Sequence, residues 1–528
     1  MTRHPGEWRE ELAASTITGP SRASGASAPR VPGLTLVAHP DLRRVGERVA
    51  FPEISSGRPV ELSRLVPLFS PPGGGSPEPL ADPHLSRSPL RLAPGPAPGS
   101  VVVCRGESAM AVEVDGRRVQ TEHLVSAADL ERGAILLLAG RIVLVLHPMP
   151  PAPAREVEGL GLTGDSAAMA QVRTDIRRVA DLEVAVLLRG ETGTGKELVA
   201  RAIHRCSPRR SRPYLAVNMG AIPPALAAAE LFGAARGAFT GADQRRTGYF
   251  SQAHGGTLFL DEIGETPPEV QVLLLRALET GEIQPVGAEA PRRVDVRVLA
   301  ATDADLEEAI AAGRFRAPLL HRLNGYEIRL PALRERREDF GQLFFSFLRQ
   351  ELEAMGEEKR LDDPGPRGDP WLPAPLLARL AAADWPGNVR QLRNVARQIA
   401  IGNRGAEQAA LPPTLMQTLE RQTGPQRASP SPSRPTYRRP ADVSEEELLA
   451  ALAANRWKLV ATAAQLGLSR TALYTLIDRC AGIRKAADLD RAEIAKALAR
   501  HDGDLDAVVE ELRVSRHGLQ LRMTELGL

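Results

Sequence analysis

Cysteine is nearly absent from this chain. Three residues, Cys104, Cys206 and Cys480, stand far apart among 528 and none has metal-ligand spacing. That excludes a disulfide framework and suits a reducing, cytoplasmic setting. Long apolar runs are also missing. None approaches the roughly 18 residues of a membrane span, so no membrane partner is expected. The start, Met1-Thr2-Arg3-His4-Pro5, has charge but no following apolar core, which argues against a signal peptide. Charge of one sign is lacking too: the formal net charge is +2, which selects no class of partner. Aromatics make up only 4%. What is plentiful is Ala, Arg, Pro and Gly, spread over a length that predicts about three to four domains.

Texture changes along the chain mark the boundaries. Residues 1–31 are small, polar and Pro-containing, and read as a disordered tail. From 32 to 148, short apolar or alternating runs (Leu34–Ala38, Val101–Cys104, Ala111–Val114, Ala134–Leu138, Ile142–Leu146) are separated by Gly, Pro and Asp turns, an all-β pattern. Residues 149–157 form a Pro-rich, extended linker. Helix and strand patterns alternate over 158–336, which predicts an α/β domain with a mostly parallel sheet. Residues 337–402 are helical, and 403–443 are a flexible linker that ends rich in Ser, Pro and Arg.

The α/β region carries the chemistry. Val184–Leu188 reads as a buried strand, Gly190-Glu191-Thr192-Gly193-Thr194-Gly195-Lys196-Glu197 as a Gly-rich turn, and Leu198–Ile203 as a helix. A bare match to this turn arises by chance. Strand, turn and helix together are what a polyphosphate needs: converging backbone N–H groups, a helix N-terminus and a lysine charge. Glu197 stands where a magnesium-binding hydroxyl is usual. Some 60 residues on, Thr257–Leu260 is an apolar strand ending in Asp261 and Glu262. At such a strand end the first acid holds Mg2+ and the second polarises the attacking water. ATP and Mg2+ are the expected cofactors.

The C-terminal region hides a repeat with an offset of 46 residues: Ala451–Asn455 recurs as Ala497–His501, Leu466 as Leu512 and Ser469-Arg470 as Ser515-Arg516. Each copy, 444–480 and 487–528, reads as two helices, a tight turn and a serine-capped third helix. In the first copy Ser469, Arg470, Thr471 and Tyr474 stand where side chains reach base edges. The second copy has Arg513 in place of the turn glycine Gly467, and its DNA contact stays open.

Between the two ATPase strands stands Gly237-Ala238-Phe239-Thr240-Gly241-Ala242, a Gly-bounded loop with an apolar tip. It resembles the loop by which bacterial enhancer-binding proteins, the AAA+ activators of sigma-54 RNA polymerase, engage sigma-54. The resemblance covers about residues 160–400, with the motifs in family order. It implies that Asn218 restrains the catalytic Glu262, that Thr302 and Asp303 sense the γ-phosphate, and that Arg316 and Arg322 are fingers reaching a neighbour's ATP. It also implies that Arg390 touches the nucleotide. Glu197 is normal for this family, which leaves magnesium mainly to Asp261 and water. Asp303 replaces the family's asparagine, and Pro318 and His321 depart from its acidic and aromatic residues. The tail resembles the family's Fis-like DNA-binding domain through Ala463–Thr471. Arg44–Arg48 and Leu85–Pro89, with a Val114-Asp115-Gly116 turn, resemble a forkhead-associated (FHA) domain, implying phosphothreonine contacts from Arg48, Ser86 and Arg87. In that pattern Glu47 replaces the phosphate-contacting arginine and Pro89 the usual histidine. A sandwich that binds protein without phosphate, or only docks on the ATPase, is the other reading.

The expected architecture is therefore multidomain: an FHA-like β-sandwich, an α/β AAA+ P-loop ATPase with a helical subdomain, and an all-α helix-turn-helix C-terminus. The expected function is sigma-54-dependent activation of transcription by a hexameric ring bound to enhancer DNA. Its partners would be the sigma-54 RNA polymerase holoenzyme, further copies of the chain, and a phosphothreonine protein or Ser/Thr kinase. Two rivals are a relative that binds DNA but has lost sigma-54 activation, and an AAA+ remodeller of another protein.

Overall fold

The computed structural model describes residues 30–151, 159–237, 246–362, 369–412, 415 and, discontinuously, 443–526. It divides into two compact units, residues 1–424 and 425–528.

The first unit begins with ten strands: β1 (Val31–Ala38), β2 (Arg48–Ala50), β3 (Val60–Leu62), β4 (Leu90–Pro94), β5 (Val101–Cys104), β6 (Val112–Val114), β7 (Arg117–Arg118), β8 (Glu122–Val125), β9 (Ala134–Leu138) and β10 (Ile142–Met149). They form two antiparallel sheets, ordered β2-β1-β10-β9-β6-β7 and β3-β4-β5-β8. Inner-face residues of both, such as Leu34, Leu144, Leu92 and Val103, share one core. Leu34 pairs with Leu146 and Leu36 with Leu144 across the long β1–β10 ladder. The last strand runs through Pro148 to Met149, the first residue of the expected 149–157 linker. Proline is tolerated there because β10 ends at that point.

A third sheet, parallel throughout, follows: β11 (Val186–Arg189), β12 (Tyr214–Asn218), β13 (Thr257–Asp261), β16 (Arg297–Thr302) and β17 (Tyr326–Arg329), ordered β12-β13-β16-β11-β17. A small hairpin, β14 (Glu282–Ile283) with β15 (Arg292–Arg293), precedes β16. Registers place Arg189 beside Thr302 and Asn218 beside Asp261, so four strands end at one sheet edge. In open α/β sheets, ligands bind at that edge. Helices Phe340–Ala354, Ala374–Ala382 and Asn388–Gly402 form a lid. Phe340 stacks on Phe344 and on Trp385 to centre its core.

In the second unit, helix Glu445–Ala454 is capped by Ser444 and followed by Leu459–Leu466. Forty-six residues later, Arg491–Arg500 is capped by Asp490 and followed by Leu505–Leu512. The tie between paired helices recurs as well: Asn455 donates to Gln465 in the first copy, and His501 meets Glu511 at 2.6 Å in the second. Both copies contribute to a single core. Gly467 holds φ +63° at the tight turn, a conformation that favours glycine.

Candidate functional site

The Gly-rich turn leaves β11 and feeds helix Lys196–Cys206. Gly193 and Gly195 adopt φ +79° and +105°. At Gly193 a Cβ would lie 2.4 Å from the Gly387 carbonyl oxygen, so the turn and the lid touch backbone to backbone. Lys196 folds back, its Nζ donating to the carbonyls of Gly190 (2.7 Å) and Glu191 (3.3 Å). Burial lowers its pKa, opposed by the nearby carboxylates of Asp303, Asp261 and Glu262. Thr194 Oγ1 donates to the Glu191 carbonyl, and Glu197 forms an exposed ion pair with Arg201 one turn on.

Asp261 ends β13, and burial raises its pKa. Glu262 follows with φ +54°, an uncommon conformation for a side chain of this size. Asp261 Oδ1 accepts the Glu262 N–H at 3.0 Å and fixes that corner. Asn218 ends the neighbouring strand, its Oδ1 accepting the Ala221 N–H at 3.2 Å. A Cβ at Gly220 would lie 2.5 Å from Glu262 Oε2 and 3.3 Å from Asn218 Oδ1, so both groups converge on that glycine. No hydrogen bond among the described residues joins Asn218 to Glu262. Thr302 is buried and its Oγ1 accepts the Ala304 N–H. Asp303 accepts from the Thr192 hydroxyl.

These groups fit a nucleotide. The N–H groups of residues 192–197 and Lys196 would hold its phosphates, and Asp261 would bind Mg2+ alongside water. Arg390 is at the start of the lid helix, its N–H donating to the Gly193 carbonyl at 3.3 Å, and its charge adds a small share to the lowering of Lys196 that burial mainly causes.

Three contacts were invisible in the sequence because their partners are far apart in the chain. Arg334 pairs with the Glu191 carboxylate, and Asn388 donates to the same carboxylate and to the Thr192 carbonyl, both at 3.1 Å. Together they hold Glu191 down to about 2, Arg334 being the larger cause. Arg336, buried, donates to the Thr194 carbonyl. Asn388 itself has φ +49°, which asparagine tolerates better than most residues.

The finger candidates lie elsewhere. Arg316 precedes helix Ala317–Leu323, with its N–H donating to the buried Gln271 Oε1 at 2.9 Å and its side chain exposed. Arg322 donates to the Leu278 carbonyl and lines a cleft with Val184, Arg297 and Gly325. Those residues sit at the starts of β11, β16 and β17, the edge opposite the Gly-rich turn. Arg322 therefore cannot serve its own chain's site in this arrangement.

Of the loop, Gly237 is described (φ +80°), while Ala238, Phe239, Thr240, Gly241 and Ala242 lie outside the described residues. Its base is a backbone pinch. Ala234 bridges to Arg246 and to Val286, and a Cβ at Gly248 would lie 2.2 Å from the Gly233 nitrogen. Ser469, Arg470, Thr471 and Tyr474 also lie outside the described residues.

The FHA-type residues are dispersed. Glu47 is buried in an ion pair with Arg44 at 2.6 Å, and Arg44 also donates to the carbonyls of Pro79 and Leu80. Arg48 donates to the Asp165 carbonyl at 3.2 Å. Ser86 accepts the Ser88 N–H within its own turn, and Arg87 is exposed. No described hydrogen bond joins Arg48 to either.

A parallel sheet with a phosphate turn, a strand-end acid pair and a helical lid defines an AAA+ P-loop ATPase. Residues 162–329 match the sigma-54 interaction domain, 334–428 the AAA+ ATPase lid domain, and 439–476 the bacterial regulatory protein, Fis family. The C4-dicarboxylate transport transcriptional regulatory protein DctD of Rhizobium meliloti is 38% identical over 358 residues, 67% of this chain and 71% of its own length. The transcriptional regulatory protein ZraR of Salmonella typhimurium is 40% identical over 329 residues, 62% and 70% of the two chains. The DNA-binding transcriptional regulator NtrC of Escherichia coli is 48% identical over 246 residues, 47% of this chain and 50% of its own. The chain thus spans about half the length of the NtrC proteins it matches. Among solved structures, NtrX from Brucella abortus with ATP is 34% identical, covering 61% of this chain and 69% of that one, at a TM-score of 0.43. The chain belongs to the family of sigma-54-dependent transcriptional activators. Among its described residues, no helix is long and apolar enough to cross a membrane.

Proposed function

We propose that this protein hydrolyses ATP as a ring, the monomer being inactive, and uses the turnover to remodel sigma-54 RNA polymerase at a promoter. The supporting observation is the gathering of Lys196, Asp261, Glu262 and Asn218 at one sheet edge of a sigma-54 interaction domain. Lys196 and Arg390 would offset phosphate charge, Glu262 would orient the attacking water, and Arg316 and Arg322 would act on a neighbour's nucleotide. Phosphoryl transfer is mainly positioning and charge stabilisation, and an arginine finger alone is worth about 10³–10⁵ in rate. A hexamer is the assembly this reading requires. The Phe239–Thr240 loop would press on sigma-54, and the Fis-type tail, through Ser469, Arg470, Thr471 and Tyr474, would tether the ring to enhancer DNA and raise its local concentration.

The β-sandwich would be the regulatory domain, FHA-like in its two antiparallel sheets about one core. Its contacts favour action by docking over phosphothreonine reading, because Arg48 is engaged by Asp165 and Glu47 by Arg44. Titration with a phosphothreonine peptide library tests this, the expected outcome being no Arg48-dependent binding.

The deciding experiment is ATP turnover by the full chain across a concentration series. Turnover should rise cooperatively and vanish in Lys196→Ala, Glu262→Gln and Arg316→Ala. Phe239→Ala and Thr240→Ala should keep turnover yet fail to open a sigma-54 promoter; promoter opening by either would sink the loop's role. Asp303 favours a second reading, a family member with weakened hydrolysis, since it sets an acid beside Lys196. Asp303→Asn should raise turnover by up to about tenfold, the size expected on removing one like charge near a phosphate site.

A further inference from the structure

The two β-sandwich sheets are not equivalent. The outer face of the six-stranded sheet carries Val37, Ile135, Leu137, Val143 and Val145, and these share one continuous apolar core with lid residues Phe344, Phe345 and Leu348. Contact is close enough to need glycine. Gly341, inside the lid helix Phe340–Ala354, lies where a Cβ would be 2.3 Å from the Val37 carbonyl oxygen and 2.8 Å from Val45. A Cβ at Gly46, on the sandwich side, would meet Gln342 Nε2 at 2.3 Å. By propensity alone, alanine would suit position 341 better. The glycine is explained by helix lying against strand.

One short segment joins this interface to the nucleotide turn. Within Leu333–Asp339, Arg337 is buried and donates to the sandwich's Gly133 carbonyl at 3.2 Å and to the lid's Ala382 carbonyl at 2.9 Å. Its neighbour Arg336 donates to the Thr194 carbonyl, and Arg334 grips the Glu191 carboxylate. Asp339 accepts from the N–H groups of Asp165 and Ser166 and from the Ser166 hydroxyl. Gln342 then donates to Asp165 at 2.8 Å, and Arg48 of the sandwich donates to the Asp165 carbonyl.

We propose that residues Leu333–Asp339 are a relay coupling sandwich docking to nucleotide affinity, with Arg334 and Arg336 positioning the phosphate turn and Arg337 reporting the docked sandwich. The proposal rests on the nucleotide reading of the Gly190–Glu197 turn. Coupling between two binding events is reciprocal, so ADP must tighten docking by the factor that docking tightens ADP.

The test uses the full chain, with ADP as probe and hydrogen exchange of β1 and β10 as the measure of docking. In the wild type, ADP should slow exchange in both strands. Gly341→Ala should speed their exchange and weaken ADP binding by about fivefold or more. Arg337→Gln, a milder change that leaves the apolar contact intact, should weaken ADP binding and abolish the ADP effect on exchange, although Arg337 has no described bond to the phosphate turn. Faster exchange in either variant at unchanged ADP affinity would overturn the relay, as would ADP leaving wild-type exchange unaltered. A wild type that fails to bind ADP, with Lys196→Ala no different, would instead sink the nucleotide reading on which the relay stands.

Discussion

The sandwich's two sheets have the same strand chemistry and different surroundings. In the four-stranded sheet, β5 alternates between buried and partly exposed positions, and Leu124 on β8 is 51% exposed. In the six-stranded sheet, every residue of β1, β9 and β10 is buried. An antiparallel sheet ordinarily buries one face and wets the other, with alternation in its sequence. Parallel β11, β13 and β16 gain cover on both faces from their own crossover helices. The six-stranded sheet takes its second cover from the lid, some 200 residues further along the chain. Unbroken apolar runs in an antiparallel strand, Ile142–Leu146 above all, therefore signal a partner.

The largest expected break in that contrast is a buried charge. Val143→Asp should unfold the first unit at ambient temperature, since an unpaired carboxylate there costs about 4 kcal/mol or more. The matching change on the outer face of the other sheet, Val102→Asp, should leave a cooperative thermal transition. Smaller but cleaner, Val143→Ala should cost about 2 kcal/mol and Val102→Ala within about 0.5 kcal/mol, read from denaturant midpoints. Equal losses would mean that the lid contributes no cover.

A third test uses pH. Burial raises Glu338 to about 7 and Asp339 to about 6, with Glu338's charge a further cause for Asp339. Carboxyls raised on folding stabilise fully below their unfolded values near 4, and that stabilisation is lost as pH rises through 6 to 7. His147, lowered by burial to about 4, acts oppositely between its folded value and its ordinary value of 6.5. Above pH 6.5 only the carboxyls contribute. Tm should therefore fall between pH 6.5 and 8, and Glu338→Gln should flatten that fall. The smallest expected effect is Leu124→Ser, within about 0.5 kcal/mol, because its side chain already meets water.

What could be read from the sequence was what lies close together in it. The Gly190–Glu197 turn and the Asp261-Glu262 pair are contiguous motifs, and the 46-residue offset in the tail reappears in the helix caps at Ser444 and Asp490. Strands β2, β3 and β8 escaped notice because they are three or four residues long and partly polar. The Glu191–Arg334–Asn388 clamp escaped because local patterning says nothing about partners more than a hundred residues away. Gly341 carries a signal of its own: it interrupts a strong helical run, and a glycine kept there despite its cost in a helix points to a packing reason.

The pinch at the base of the 238–245 loop has a practical side. Gly233 and Gly248 leave no room for a side chain, while Ala234 and Ala235 are tied to Arg246 and Val286 by backbone bonds alone. Such a neck places no demand on the identity of what it carries. A foreign peptide of similar length could be grafted between Gly237 and Arg246 without altering a single residue of the collar.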